Sequence, residues 1–341
     1  MSGRPVVLFV FFAPFVVGSN LLAVPHAAIW DQVPGLRGER SRRRVPSMLQ
    51  RSAAAFCWVF LVISCGVRPA GGAVGVEQAP QSSPWLLEAQ KAQAKGLVLK
   101  AVELAGKAVE EAPKDPRGWY FRASLLERSK QWDGVEADLS KVLELKPNDP
   151  SVTLQRGVAR LRLGRFPDAV ADFDRYAELR PGSLPELWQR GIALFYARRF
   201  DEGRKQFELH RTVNGDDVEN AAWHFACVAQ LEGFRRAREL LIPVVGDSRI
   251  PMKEIQGMLA GTTTPEEVLA AAEGVPGGAR RDAALFYARL YVGMYEEARG
   301  RLDLAAKHLA EATKTADGFG LMGDVGRLHA DWLAREIRRA R

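Results

Sequence analysis

Residues that carry chemistry are scarce in this chain. Its 341 residues include three cysteines (Cys57, Cys65, Cys227) and five histidines (His26, His210, His224, His308, His329). No His-Glu-x-x-His run sets two imidazoles on one helix face, so the zinc site of that kind of protease is excluded. No glycine-rich loop ends in Gly-Lys-Ser/Thr, and no Gly-x-Ser-x-Gly elbow is present, which removes the common phosphate cradle and the common serine nucleophile. The acidic pairs Glu110-Glu111, Glu266-Glu267 and Glu296-Glu297 fall on helices or at helix starts, where solvation and dipole pairing explain them. The expectation is a protein with no catalytic residue, no metal and no cofactor. An unrecognised activity within residues 218–278 is the alternative, and a pocket grouping His224 with a carboxylate and an arginine would favour it.

Long apolar runs are also few, and both lie near the start. Val6 to Val17 is almost wholly apolar; Arg37, Arg40, Arg42, Arg43 and Arg44 follow, then Met48 and a second run, Ala53 to Ile63. Neither run spans a bilayer comfortably. From Met48 the order is a short basic region, about a dozen apolar residues and then small residues, which is the layout of a secretory signal over 48–64. Two exits follow it. Val62-Ile63-Ser64-Cys65 resembles the lipobox of bacterial lipoproteins, which implies lipidation of Cys65 as the new N-terminus. Gly71-Gly72-Ala73 is a small-residue site for ordinary cleavage, which would leave a soluble periplasmic or secreted protein. Residues 1–47 either lie upstream of the true start, which would be Met48, or form the first arm of a membrane hairpin with its arginines on the cytoplasmic side. Residues 65–84, rich in Gly, Pro, Ala and Ser, read as a flexible tether.

The net charge of +7 follows from 48 basic and 41 acidic residues. Residues 1–64 hold seven arginines and two acids, leaving 41 basic and 39 acidic residues beyond, a surplus of two. The basic balance belongs largely to the leader, so it makes no case for a nucleic-acid partner. Cysteine use agrees with export: Cys57 would leave with the signal and Cys65 would carry lipid, so Cys227 has no partner for a disulfide. Trp223, Phe225, Ala226 and Val228 around it suggest a buried helix.

What the chain has in abundance is a period. Arg122-Ala123, Arg156-Gly157 and Arg190-Gly191 are each 34 residues after the last, and so are Leu139, Phe173 and Phe207. Pro147, Pro181 and Gly215 keep the same spacing, and Trp85, Ala101, Ala105, Ala108 and Pro113 extend it backwards. A fixed period of this length marks a helical solenoid. Each unit would be two antiparallel helices with small residues at their crossing and a large apolar residue filling the gap to the next. In the third unit Gly164 breaks the first helix, Pro167 suits the first turn of the second, and Ala169, Phe173, Tyr176 and Ala177 form one stripe.

At Gln155-Arg156-Gly157, Gly164-Arg165-Phe166, Asp168 to Phe173 and Glu178 to Pro181 the pattern resembles the tetratricopeptide repeat. The fold class expected is all-α: a helix-hairpin solenoid of this type, preceded by a signal or anchor segment and a flexible tether. Residues 85–217 divide into four units, and 218–280 form a helical connector outside the consensus. Within it, Val218 to Gln230 is expected to be a helix with Leu231 to Leu241 as its return, and Thr264-Pro265-Glu266-Glu267 is a helix start. Residues 281–341 hold a further repeat-like unit, Phe286 to Thr313, and a closing helix, Leu328 to Arg341.

Leu187 to Tyr196, Trp223 and Phe286 to Leu290 with Tyr291 are similar to the C-terminal half of the NlpI-type envelope lipoproteins. That resemblance implies an adaptor for other envelope proteins, anchored in the bacterial membrane and often a dimer. In tetratricopeptide arrays the first helix of each unit lines the concave face. Projected here, this gives Tyr120 and Ser124; Leu154, Val158, Leu161 and Arg162; and Trp188, Ile192, Phe195 and Tyr196. Aromatics with an arginine on one accessible face are what interface hot spots are made of, so Tyr120, Arg162, Trp188, Phe195 and Tyr196 are the expected partner-binding residues. Partners would be proteins or peptide segments. No asparagine clamp for a peptide carboxylate is evident, which argues against recognition of free C-terminal tails.

Overall fold

The first helix of each of the first three hairpins starts where a short oxygen-bearing side chain stands before the first turn. The computed structural model describes residues 83–340, and the N-terminal leader, Cys65 and the tether expected from the sequence lie outside them apart from its last two residues. Ser83 caps α1 (Pro84–Ala94), Asp115 caps α3 (Pro116–Arg128) and Asp149 caps α5 (Pro150–Arg162), each side chain accepting a first-turn backbone N–H at 3.0–3.2 Å. Proline occupies the first helical position in all three, where its missing N–H costs nothing. Their partners are α2 (Val98–Glu111), α4 (Trp132–Leu145) and α6 (Phe166–Leu179). The fourth hairpin is α7 (Trp188–Tyr196) with α8 (Phe200–His210). Its first helix has only nine residues, because a 3₁₀ turn over Leu184–Glu186 replaces the opening turn of its predecessors.

Two contacts recur with the period. The first is steric. A Cβ placed on Gly157 would stand 3.0 Å from the Phe173 ring, and one on Gly191 only 2.6 Å from that of Phe207. The second is ionic. Arg122 donates through Nε and Nη2 to the Asp138 carboxylate at 2.8 and 2.7 Å, and Arg156 does the same to Asp172 at 3.0 and 2.7 Å. In the fourth unit Gln206 takes the place of the aspartate and accepts from Arg190 Nη1 at 3.0 Å, while Asp174 accepts from Nε at 2.6 Å. The arginines of the repeated Arg-small pairs thus clamp the two helices of a unit together.

Beyond the fourth hairpin come α9 (Val218–Glu232) and α10 (Phe234–Glu239), the latter shorter than the Leu231–Leu241 return expected. Residues 240–251 form no helix. Arg249 pins this stretch down, pairing at 2.6–2.9 Å with Asp217, Glu219 and Asp247 at the start of α9 and in the loop itself. Tyr291 donates its hydroxyl to the other Glu219 oxygen at 2.8 Å. Next are α11 (Met252–Ala260) and α12 (Pro265–Glu273), whose Thr264 and Glu267 form a reciprocal capping box. The last hairpin is α13 (Ala279–Ala298) with α14 (Leu302–Thr313), and Gly293 faces Leu309 across it as Gly191 faces Phe207. The closing helix α15 runs from Gly320 to Ala340, eight residues longer at its start than the sequence pattern indicates. No helix among the described residues is long and apolar enough to cross a membrane.

Candidate functional site: the inner face of the repeat array

The first helices of three consecutive units open a cavity of about 590 Å³. Leu86, Leu87 and Gln90 come from α1, Arg117, Tyr120 and Phe121 from α3, and Ser151 and Val152 from α5, with Val142 and Lys146 at its edge. Within this lining Leu86 and Tyr120 are 34 apart, as are Leu87 and Phe121, and Arg117 and Ser151, so successive units contribute residues of matching register. Tyr120 is half-buried, and its hydroxyl accepts from Gln155 Nε2 at 3.0 Å, which orients the ring. Arg117 holds Asp115 through Nε at 2.9 Å and keeps that carboxyl below its ordinary range despite burial. The lining is therefore apolar with Gln90, Arg117, Lys146 and Asp149 as its amide and charged groups, suited to side chains of an extended chain.

The other expected groove residues separate into two groups. Trp188 is half-buried at the start of α7. Arg162 is enclosed: its guanidinium lies 4.0 Å over the Trp132 ring and pairs with Asp324 of α15 at 3.0 Å. Phe195 and Tyr196 are corrected outright, since both are buried and neither faces an accessible groove. The reason is α15, which packs on the C-terminal ends of α5 and α7. Phe195 meets Trp223 and Trp332 edgewise or tilted, with centroids 5.5 Å away in each case, and Tyr196 stacks on Phe166 at 4.9 Å. With its proton on Nε2, His329 of α15 donates to Glu297 at 2.8 Å and accepts from the Tyr196 hydroxyl at Nδ1, 3.1 Å away. Burial, with Glu297 nearby, holds the Tyr196 hydroxyl well above its ordinary pKa.

Helix α15 follows the turns inside the hairpins of units two to four. Asp317, just before it, pairs with Lys130, Leu328 lies against Gly164, and Glu336 pairs with Arg198. Sequence reasoning missed this contact because α15 carries no repeat signature. It also missed the recurring Asp138 and Asp172, although their 34-residue spacing was there to be found.

His224 does sit with a carboxylate and an arginine. Glu208 is 3.3 Å from Nε2, and Glu208 in turn lies 3.7 Å from Arg204. The imidazole is 2% exposed, however, so a substrate cannot reach it. Cys227 is wholly buried, and burial pushes its thiol far above the ordinary value, which makes it inert. Among the described residues no group of three or more His, Cys, Asp or Glu is placed to hold a metal ion.

Residues 136–183, from within α4 to just past α6, match the family model of the tetratricopeptide repeat. The chain is similar in fold to solved repeat proteins at low identity. A tetratricopeptide repeat protein from Parabacteroides merdae aligns with a TM-score of 0.46 and 15% identity, over 73% of this chain and 97% of its own. MamA from Desulfovibrio magneticus RS-1 gives 0.37 and 15%, over 60% and 97%. YrrB, described as a TPR protein with an unusual peptide-binding site, gives 0.36 and 16%, over 67% and 98%. No protein of curated function matches the chain. Of the hairpins described above, α5 with α6 is the one that falls wholly within the matched residues.

Proposed function

We propose that this protein is a non-enzymatic scaffold that docks segments of other proteins on the inner face of its first three repeat units. The observation that carries this is the cavity lined by residues of α1, α3, α4 and α5, Tyr120 among them. A photo-crosslinking side chain at position 120 should capture a defined partner segment, while one at the exposed Lys141 should not. Equal capture at both positions would remove the groove from consideration.

The leader supports a place in the bacterial envelope, with Cys65 lipidated and the solenoid serving as an adaptor for envelope proteins, as the NlpI-type resemblance implies. Dimerisation belongs to the same reading. The alternative is a soluble exported or organellar assembly factor, which Gly71-Gly72-Ala73 favours. Intact mass of the membrane-extracted protein separates the two. A chain beginning at Cys65 with a diacylglyceryl-type addition supports the anchored adaptor, and an unmodified chain beginning at Val74 overturns it.

A further inference from the structure

The turn between α1 and α2 departs from its counterparts in later units. In register, Leu97 stands where Gln131, Arg165 and Arg199 follow, and Leu99 stands where Asp133, Pro167 and Asp201 follow. These leucines are not used for packing: Leu97 is 54% and Leu99 85% exposed. Gly96, at φ +74°, turns the chain at the tip of the first hairpin, with exposed Leu97 just before α2, exposed Leu99 in its first turn and Val98 between them half-buried. Lysines bracket it. Lys91, Lys95 and Lys100 are all exposed; Lys91 pairs with Glu88 at 2.8 Å and Lys100 with Glu103 at 2.9 Å, both across exposed helix faces where such pairs are weak.

We propose that this turn inserts into an anionic membrane surface and seats the first repeat on the bilayer. The proposal rests on the anchored reading given above. Leucines at such a tip reach the acyl boundary while lysine amines stay at headgroup level and meet anionic lipid. Only 18 residues (66–83) separate Cys65 from α1, so the first unit is the one an anchor at Cys65 would hold nearest the surface. Patch size argues against a second copy as occupant: a stable dimer buries about 800 Å² on each partner, more than three small apolar side chains at a turn offer.

The test uses the full, processed chain carrying Leu99→Cys, reconstituted in phosphatidylcholine vesicles with and without roughly one quarter phosphatidylglycerol. Cys227 is buried and Cys65 is lipidated on this reading, so position 99 is the reactive thiol. Asp133→Cys, at the matching position of the second unit and 79% exposed in its side chain, is the control. Maleimide labelling at 99 should slow by roughly tenfold or more in the anionic vesicles, with 133 unchanged. A chain that pellets with the vesicles yet labels equally at both positions refutes membrane insertion alone. Protection that grows with protein density at fixed lipid composition identifies a second copy instead and overturns the proposal. A chain that fails to pellet refutes the anchored reading and this inference together.

Discussion

Gly191 and Phe207 show how a single position sets the distance between two helices. Unit by unit, the pair sixteen residues apart reads Ala123 with Leu139, Gly157 with Phe173 and Gly191 with Phe207, so a smaller first residue accompanies a larger second one. The Phe207 ring is buried and fills the volume a Cβ at 191 would take. Gly191→Ala should therefore destabilise the protein by about 2 kcal/mol, overpacking outweighing the gain in helix propensity. Adding Phe207→Leu recreates the pair found in the second unit and should recover most of that loss, as urea unfolding of both variants would show. His224 makes a second residue-scale case. Burial, only partly offset by Glu208, lowers its pKa below the ordinary value of 6.5. Below pH 6.5 the unfolded chain then binds a proton that the folded chain does not, so stability is fully present above 6.5 and falls as pH drops through that value towards the folded pKa. His224→Gln should flatten this slope in urea titrations between about pH 7.5 and 5.5. A residual slope should survive, because burial lowers His308 in the same direction.

At the scale of the element, the period was legible because it rests on packing that every unit must repeat. Small residues at helix crossings, large ones between units and proline at helix starts each have a local cause, and several agree in phase. The interruptions were less legible. Residues 240–251 leave the helical pattern because Arg249 gathers three carboxylates from two separate stretches, and nothing local announces such a cluster. The hairpin turns carry a further periodic feature. Gly96, Lys130, Gly164 and Arg198, each 34 after the last, all have positive φ, at 74°, 55°, 71° and 61°. Glycine takes this conformation without strain, whereas a side chain there costs about 1 kcal/mol. The ion pair Lys130 makes with Asp317 is exposed at both ends and adds little. Lys130→Gly should thus raise the melting temperature by roughly 2–4 °C, measured by circular dichroism. A fall in melting temperature would mean that the contact with Asp317 outweighs backbone strain.

On the scale of the whole molecule, α15 covers the hairpin turns of units two to four and leaves the cavity around Tyr120 open. Tyr120 lines that cavity, whereas Phe195 and Tyr196 fall under the closing helix. A periodic projection treats all units alike and cannot register a helix whose residues return from 129 to 138 positions further along the chain. This arrangement predicts two separable outcomes for Trp332→Ala. Trp332 is buried between Phe195, Tyr196 and His329, so its truncation should cost about 3 kcal/mol. Because α15 is the last described helix, that loss should appear first as local release, with faster amide exchange across 320–340 while α1 to α6 keep their protection. The cavity around Tyr120 is built from α1, α3, α4 and α5 without any residue of α15. Crosslinking yield at position 120 should accordingly be unchanged in the Trp332→Ala protein. A rise in that yield would show that the closing helix competes for the cavity, which would then be a regulated groove.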